Sequence, residues 1–278
     1  MPDIVIHGIA SAIYVGLAWH FWKTRWHGVR GGAPASDGKR GLRAWERAAI
    51  LVPAALHGWL LYDGVFSREL RFGFAQALSV MMLVGVALYW IESLFYELEG
   101  MQPLVLALAA LAVPLPALFP GLVLTGAHAQ AAEFKLHLAL SMLAYGLFVI
   151  ALLHATLMAA AERQLHRKGT AAFPNLPPLL TLEKLLFRMI AAAFVFLTLT
   201  LVTGIAFSET LFGRALTFDH KTVFALLSWL TFGLLLAGRW RYGWRGRTAL
   251  RWTLTGFVML LLAYVGSRFV LEVLLGRS

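Results

Sequence analysis

Nine histidines and no cysteine set the chemistry open to this chain of 278 residues. Without thiols, it can form no disulfide, no thiolate-bound metal and no cysteine-ligated iron–sulfur cluster. Neutral imidazole remains, a ligand for haem iron, zinc or copper as well as an ordinary hydrogen-bonding group. His7, His57, His137 and His220 fall towards one end of the apolar segments that hold them, with His128 in a loop on that side. His20, His27, His154 and His166 fall towards the other. Two axial imidazoles from separate helices could hold a haem between them, its ring against Leu, Phe and Trp and its propionates on Lys221 or Arg214. Each histidine could equally hydrogen-bond a neighbouring helix. For His57, His137 and His220 as a set, spacing alone leaves both readings open.

Other polar residues support or compete with this set. His137, Ser141 and Tyr145 are four apart, so they share one helix face, expected to point inwards. Asp219-His220-Lys221 opens a helix, where Asp219 suits the N-cap and the positive end of the macrodipole. Glu92 could relay protons, but Glu97 and Glu99 follow it, and an interfacial position is expected. Arg268 and Glu272 are spaced for an intrahelical ion pair. Gly243-Trp-Arg-Gly-Arg247 reads as a topology anchor and lipid-headgroup contact. No phosphate loop, dinucleotide fingerprint, HExxH or nucleophile elbow is present, so no catalytic residue is assigned.

The elements that must position these residues are membrane spans. The chain is 60% hydrophobic and 14% charged, against about 45–50% and about 25% for a soluble domain. Lipid is therefore its main solvent. Eight segments reach the roughly 20 apolar residues that a crossing needs: 4–22, 44–62, 73–95, 102–119, 134–158, 186–209, 220–238 and 249–274. The fourth ends in Pro114, Pro116 and Pro120 and could be a full span, a broken helix or a re-entrant piece. Phe173-Pro-Asn-Leu-Pro-Pro178 reads as a turn, with Thr181 as a cap. The loops after the first, fifth and seventh segments hold 17 of the 24 Lys and Arg residues, all on one side of an even-span topology. The positive-inside rule puts that side in the cytoplasm and both termini in the periplasm. The net charge of +10 then reflects topology, and no nucleic-acid partner is expected. The first segment has Asp3 and no basic flank before it, and reads as a retained span, not a cleaved signal. The expected fold is all-α, a polytopic helix bundle forming a single transmembrane domain over 1–278, in a bacterial inner membrane.

Several runs come in a familiar order: His137-Leu-Ala-Leu-Ser-Met-Leu-Ala-Tyr145, Leu179-Leu-Thr-Leu-Glu-Lys184 after a Pro pair, Leu197-Thr-Leu-Thr-Leu-Val-Thr-Gly204, Asp219-His-Lys221 ahead of Ser228-Trp229, Gly243-Trp-Arg-Gly-Arg247 and Tyr264-Val-Gly-Ser-Arg268. Together they resemble the cytochrome c assembly family of the CcsA/HemX type, and within it the YpjD branch of inner-membrane proteins. The resemblance implies haem handling, with haem b as cofactor. By motif position His137 resembles an outer-face haem histidine and His57 a membrane histidine, with His220 third. Tyr145, Asp219 and Lys221 are implied as supporting residues. Larger members carry a Trp-rich outer segment, whereas Glu209 to His220 here is short and lacks Trp. The implied role is assistance to cytochrome c assembly or haem homeostasis, with other proteins of those processes as partners. The alternative is a non-haem scaffold or haem-biosynthesis regulator acting through its basic cytoplasmic loops. A small-molecule or ion transporter is a third reading, without an inverted repeat of interrupted helices to support it.

Overall fold

The computed structural model describes residues 2–26, 42–66, 70–98, 100–124, 131–165, 178–212 and 219–275. Eight helices among them are long and apolar enough to cross a membrane: Ile4–Arg25, Ala44–Val65, Phe74–Phe95, Met101–Leu118, Ala132–Arg163, Leu179–Phe207, His220–Tyr242 and Gly246–Leu274. They belong to helices α1 (Pro2–Phe21), α2 (Ala44–Phe66), α3 (Phe74–Phe95), α4 (Met101–Ala112), α5 (Leu115–Leu118), α6 (Ala132–Leu165), α7 (Leu179–Phe212), α8 (His220–Tyr242) and α9 (Gly246–Leu261). The last continues through two π-helical stretches, Leu262–Gly266 and Val270–Leu274. The fold is the expected polytopic helix bundle. His27, His128 and His166, the Gly28–Gly41 loop, Arg214 and most of the Phe173–Pro178 turn lie outside the described residues.

One boundary differs from the sequence reading, and the fourth span takes one of the forms expected for it. α7 starts at Leu179, directly after the proline pair, so Thr181 sits in its first turn and does not cap it. Its amide bonds to the Pro178 carbonyl at 2.9 Å. The fourth span is a broken helix, with α4 giving way at Val113–Pro114 to the short α5, because Pro114 and Pro116 offer no amide to continue the ladder. Beyond it, β2 (Leu122–Val123) pairs antiparallel with β1 (Arg71–Phe72), Arg71 opposite Val123. Eight crossings bring residues 2 and 275 to one side. This terminal face also carries β1 and β2; the loops on the opposite, basic face hold most of the arginines.

α6 is the central helix. On one side it meets α3 and α4, which pack with α1 and α2; on the other, α6, α7, α8 and α9 form a four-helix group. Hydrocarbon gives apolar side chains no drive to associate, so close packing and interhelical hydrogen bonds must hold the helices. Both are present. A Cβ on Gly146 of α6 would overlap Val84 Cγ1 of α3. A Cβ on Gly256 of α9 would come within 2.8 Å of the Phe232 ring, which stacks on Phe148 with centroids 3.8 Å apart. Ser11 Oγ donates to the Ala110 carbonyl at 2.7 Å, Ser228 Oγ to the Gly256 carbonyl at 2.9 Å and Trp229 Nε1 to Thr198 Oγ1 at 2.9 Å. Exposed Leu111, Val195 and Val202 lie on outward faces, as lipid-facing residues should.

The basic face is tied by ions. Glu46 is buried and accepts from Arg25 at 2.8 Å and from the Arg43 amide at 2.7 Å, with His20 at 3.3 Å. Arg239 at the end of α8 pairs with Glu183 at the start of α7. Gly243 then closes α8 in the left-handed region, φ 66°, where glycine carries no Cβ penalty.

Candidate functional site

The stripe His137, Ser141 and Tyr145 does face inwards, with Ser141 and Tyr145 buried and His137 half-buried. Its members act separately. Ser141 Oγ donates to the His137 carbonyl at 2.7 Å, a bond within α6. Tyr145 donates to the Leu260 carbonyl of α9 at 2.6 Å and so braces two helices of the four-helix group. Phe148, one turn further in, completes the stripe with its stack on Phe232.

A hydrogen bond holds the His137 ring to α7. Nδ1 lies 3.0 Å from Thr203 Oγ1. The Thr203 hydroxyl has one proton, and it is directed to carbonyls of its own helix, at Leu199 (2.8 Å) and Thr200 (3.1 Å). With that proton on a carbonyl of its own helix, Thr203 Oγ1 accepts from Nδ1–H. In that arrangement Nε2 keeps a lone pair, the state in which imidazole ligates a metal. The ring also lies against Gly204, where a Cβ would come 3.2 Å from its Cε1.

Asp219, His220 and Lys221 occupy the terminal-face rim of the same four-helix group. Asp219 is the N-cap of α8, as expected: Oδ1 accepts from the Thr222 amide at 2.9 Å and the Thr222 hydroxyl at 3.1 Å. Desolvation alone would raise the Asp219 carboxyl, but these donors and the nearby Lys221 and His220 hold it below the ordinary range. His220 is exposed, and Lys221 is half-buried. The Arg268 guanidinium bears electrostatically on Lys221 and lies 5.9 Å from the Tyr264 ring centroid. The Thr198–Trp229 bond sets the level of α8 against α7. At about 1.5 Å per residue, His220 sits about 6 Å nearer the terminal face than Thr203, the partner of His137. The two histidines thus share one end of one helix group.

His57 belongs to a different interface. It is 1% exposed, Nε2 lies 2.8 Å from Ser79 Oγ of α3, and the ring meets Tyr14 of α1 edge-on at 6.0 Å. His7 is an electrostatic neighbour. His57 Nδ1 and Tyr14 Oη are buried without hydrogen-bond partners among the described residues. With Gly146 and Val84 level, Ser79 lies about 6 Å deeper than His137, on the far side of α3. Among the described residues, no hydrogen bond or ring contact joins His57 to His137. Among the described residues, no three His, Asp or Glu side chains gather as metal ligands.

Glu92 and His154 form a pair that sequence reasoning did not find. Glu92 is buried one turn from the end of α3, and its Oε2 lies 3.6 Å from Nε2 of the fully buried His154. The Arg268 side chain keeps its Nε buried and without a hydrogen bond near Glu272, so the expected ion pair is one of proximity and not of a closed contact.

Eight apolar crossings packed into one helix bundle define a polytopic integral membrane protein. The family model described as Cytochrome C assembly protein matches residues 46–275, and the chain belongs to that family. It is 34% identical over 242 residues to "Inner membrane protein YpjD" of Escherichia coli strain K12, covering 83% of this chain and 89% of that protein. It is 35% identical over 89 residues to "Cytochrome c biogenesis protein CcsA" of Prochlorococcus marinus strain MIT 9515, covering 32% of this chain and 28% of that protein. No solved structure matches the chain. The family and the inner-membrane relative make this a multi-pass protein of the bacterial inner membrane.

Proposed function

We propose that this protein binds haem b at the outer end of the α6–α9 group and assists cytochrome c assembly or haem homeostasis. The observation that carries the reading is the contact of His137 Nδ1 with Thr203 Oγ1 at 3.0 Å, which, with Nδ1 donating, leaves the Nε2 lone pair open to a ligand. The donor set fits the cofactor: an imidazole held by Thr203, a second imidazole at His220 on the same rim, and a glycine, Gly204, that lets the His137 ring approach α7 closely. Haem bound there would supply an iron centre that protein imidazoles could ligate. His137 would be the first residue to hold it and His220 the second. Lys221 and Arg268 would receive the carboxylates of the cofactor. Asp219 fixes the start of α8 and so the position of His220, and Tyr145 holds α6 to α9 beneath the site. His57 is a deeper membrane histidine, and its unpartnered Nδ1 makes it the candidate for a separate ligand position. The terminal face is periplasmic on this reading, because the arginine-rich loops prefer the cytoplasm.

The test is an absorption spectrum of the purified protein after haem supplementation. A Soret band that weakens in His137→Ala and in His220→Ala is expected. A folded protein with no Soret band would overturn the haem reading. The competing scaffold reading draws on the basic face, where Trp240 is 89% exposed beside Arg239 and Arg241. It predicts the opposite sensitivity, with loop arginines essential to function and His137 dispensable.

A further inference from the structure

We propose that Glu92 and His154 form an intramembrane proton-exchange site, a carboxyl–imidazole pair that holds one proton between α3 and α6 and trades it with the basic face. The inference rests on a different part of the molecule from the haem reading and stands or falls without it.

Burial excludes a bare carboxylate. His154 is 0% exposed, Glu92 is 6% exposed, and both carboxylate oxygens and His154 Nε2 lack hydrogen-bond partners among the described residues. A lone ion in hydrocarbon costs several kcal/mol even after relaxation, so such a group takes up a proton instead. The arginines near this end are engaged elsewhere. Arg25 bonds Glu46, Arg47 donates to the Ser93 carbonyl at 3.0 Å, Arg188 donates to Tyr96 and Arg239 pairs with Glu183.

The backbone then fixes where the proton goes. His154 Nδ1 is 2.9 Å from the Ile150 carbonyl, which can only accept, so Nδ1 carries hydrogen. Nε2 therefore offers a lone pair towards Glu92, and a protonated Glu92 is its natural donor. A small side-chain rotation closes the 3.6 Å gap. In the exchange step the Glu92 O–H bond breaks as the His154 Nε2–H bond forms, and a neutral pair becomes a carboxylate and an imidazolium. No electrons are gained or lost, and the net charge is zero on both sides. Adding or removing a proton leaves a net charge in hydrocarbon, so the pair rests with one and exchanges it one for one with a proton arriving from the basic face.

Access is one-sided. Outwards from the pair the α3–α6 seam is closed by Val84 against Gly146 and by Gly85 against Val149 and Ile150. Towards the basic face, Glu92 is one turn from the end of α3, next to Ser93 and Arg47. The charged and titratable groups facing this region are Arg25 and His20 from the α1 end, Glu46 and Arg47 from α2, Tyr89 from α3 and His154 from α6. Buried Gln102 of α4 adds a polar but untitratable neighbour.

Infrared spectroscopy of the full-length protein in lipid nanodiscs tests the site. Wild type should show the carbonyl stretch of a protonated carboxyl, shifting in D2O and persisting from about pH 5 to about pH 9, where an ordinary carboxylate is ionised. Glu92→Gln should abolish it. His154→Gln, which keeps the carboxyl, should shift the band without removing it, so a folding defect in one variant leaves the other to decide. An apolar carbodiimide, which reacts with protonated carboxyls, should label Glu92 in wild type. A water-soluble carbodiimide should reach Glu92 in inside-out but not right-side-out membrane vesicles. The proposal is overturned by the absence of any band sensitive to Glu92→Gln, by labelling from the terminal face, or by a stoichiometric metal ion lost in Glu92→Gln.

Discussion

Replacing Thr203 by Val tests the His137 reading without touching the histidine. Val keeps the β-branched shape of Thr, so α7 and its packing should survive. It removes the oxygen that accepts His137 Nδ1–H at 3.0 Å. Losing the partner of a ligating imidazole typically costs about 10–100-fold in metal affinity, or roughly 1.4–2.7 kcal/mol at about 1.4 kcal/mol per tenfold. The bond itself contributes less to folding, because interhelical hydrogen bonds in membranes average about 0.6 kcal/mol. The effect on haem affinity should therefore exceed the effect on stability. Haem titration followed at the Soret band, beside a thermal melt in the same detergent, separates the two. Thr203→Ser restores the hydroxyl and should recover affinity to within a few-fold. The reasoning fails if Thr203→Val binds haem as wild type does, or if Thr203→Ser is as weak as Val.

Other substitutions probe the scaffold. Tyr145→Phe leaves the Leu260 carbonyl without its donor and should lower the melting temperature by the equivalent of about 0.6–1.7 kcal/mol, with haem binding reduced only through α9. Asp219→Ala removes the Thr222 cap and should cost about 0.5–2 kcal/mol. Because the folded Asp219 carboxyl is held below its ordinary value, its contribution is full above the unfolded value and lost as pH falls through the folded one. Thermal melts should show that acid-side loss in wild type and not in Asp219→Asn. Gly256→Leu should overpack against the Phe148–Phe232 stack and destabilise by about 1–3 kcal/mol; an unchanged melt would show that the stack has room to move.

The sequence made the spans legible because lipid leaves a one-dimensional signal: runs of apolar residues of crossing length, broken by basic loops. It made the Asp219 cap legible for a related reason, since a cap is a local matter of four residues. The start of α7 was misjudged because Leu179–Lys184 mixes polar residues into the first turn, and hydropathy discounts them although Pro178 already permits the helix. The histidines divide along the same line. Inward direction for His137 followed from its spacing with Ser141 and Tyr145. That it meets α7 rather than α2, and that His57 turns instead to Tyr14 and Ser79, depends on which helices are neighbours, and hydropathy carries no such information.

Glu92 and His154 show what supplies that missing information. They are far apart in sequence, and the acidic residues after Glu92 suggest the membrane surface. What brings them level is that α3 and α6 cross in the same direction and approach closely at one place, where Gly146 leaves space for Val84. From that contact, Glu92 and His154 are each eight residues further along their helices, so parallel helices in this register must set them side by side. Gly146→Leu should force the helices apart there and separate the pair, while Gly204 and Thr203 keep their contacts with His137 on the opposite face of α6. The measurable outcome is a folded but destabilised protein whose carboxyl infrared band shifts as it does in His154→Gln, with haem affinity changed less than in Thr203→Val. An unaltered band in a folded Gly146→Leu protein would mean that the helix register does not govern the pair.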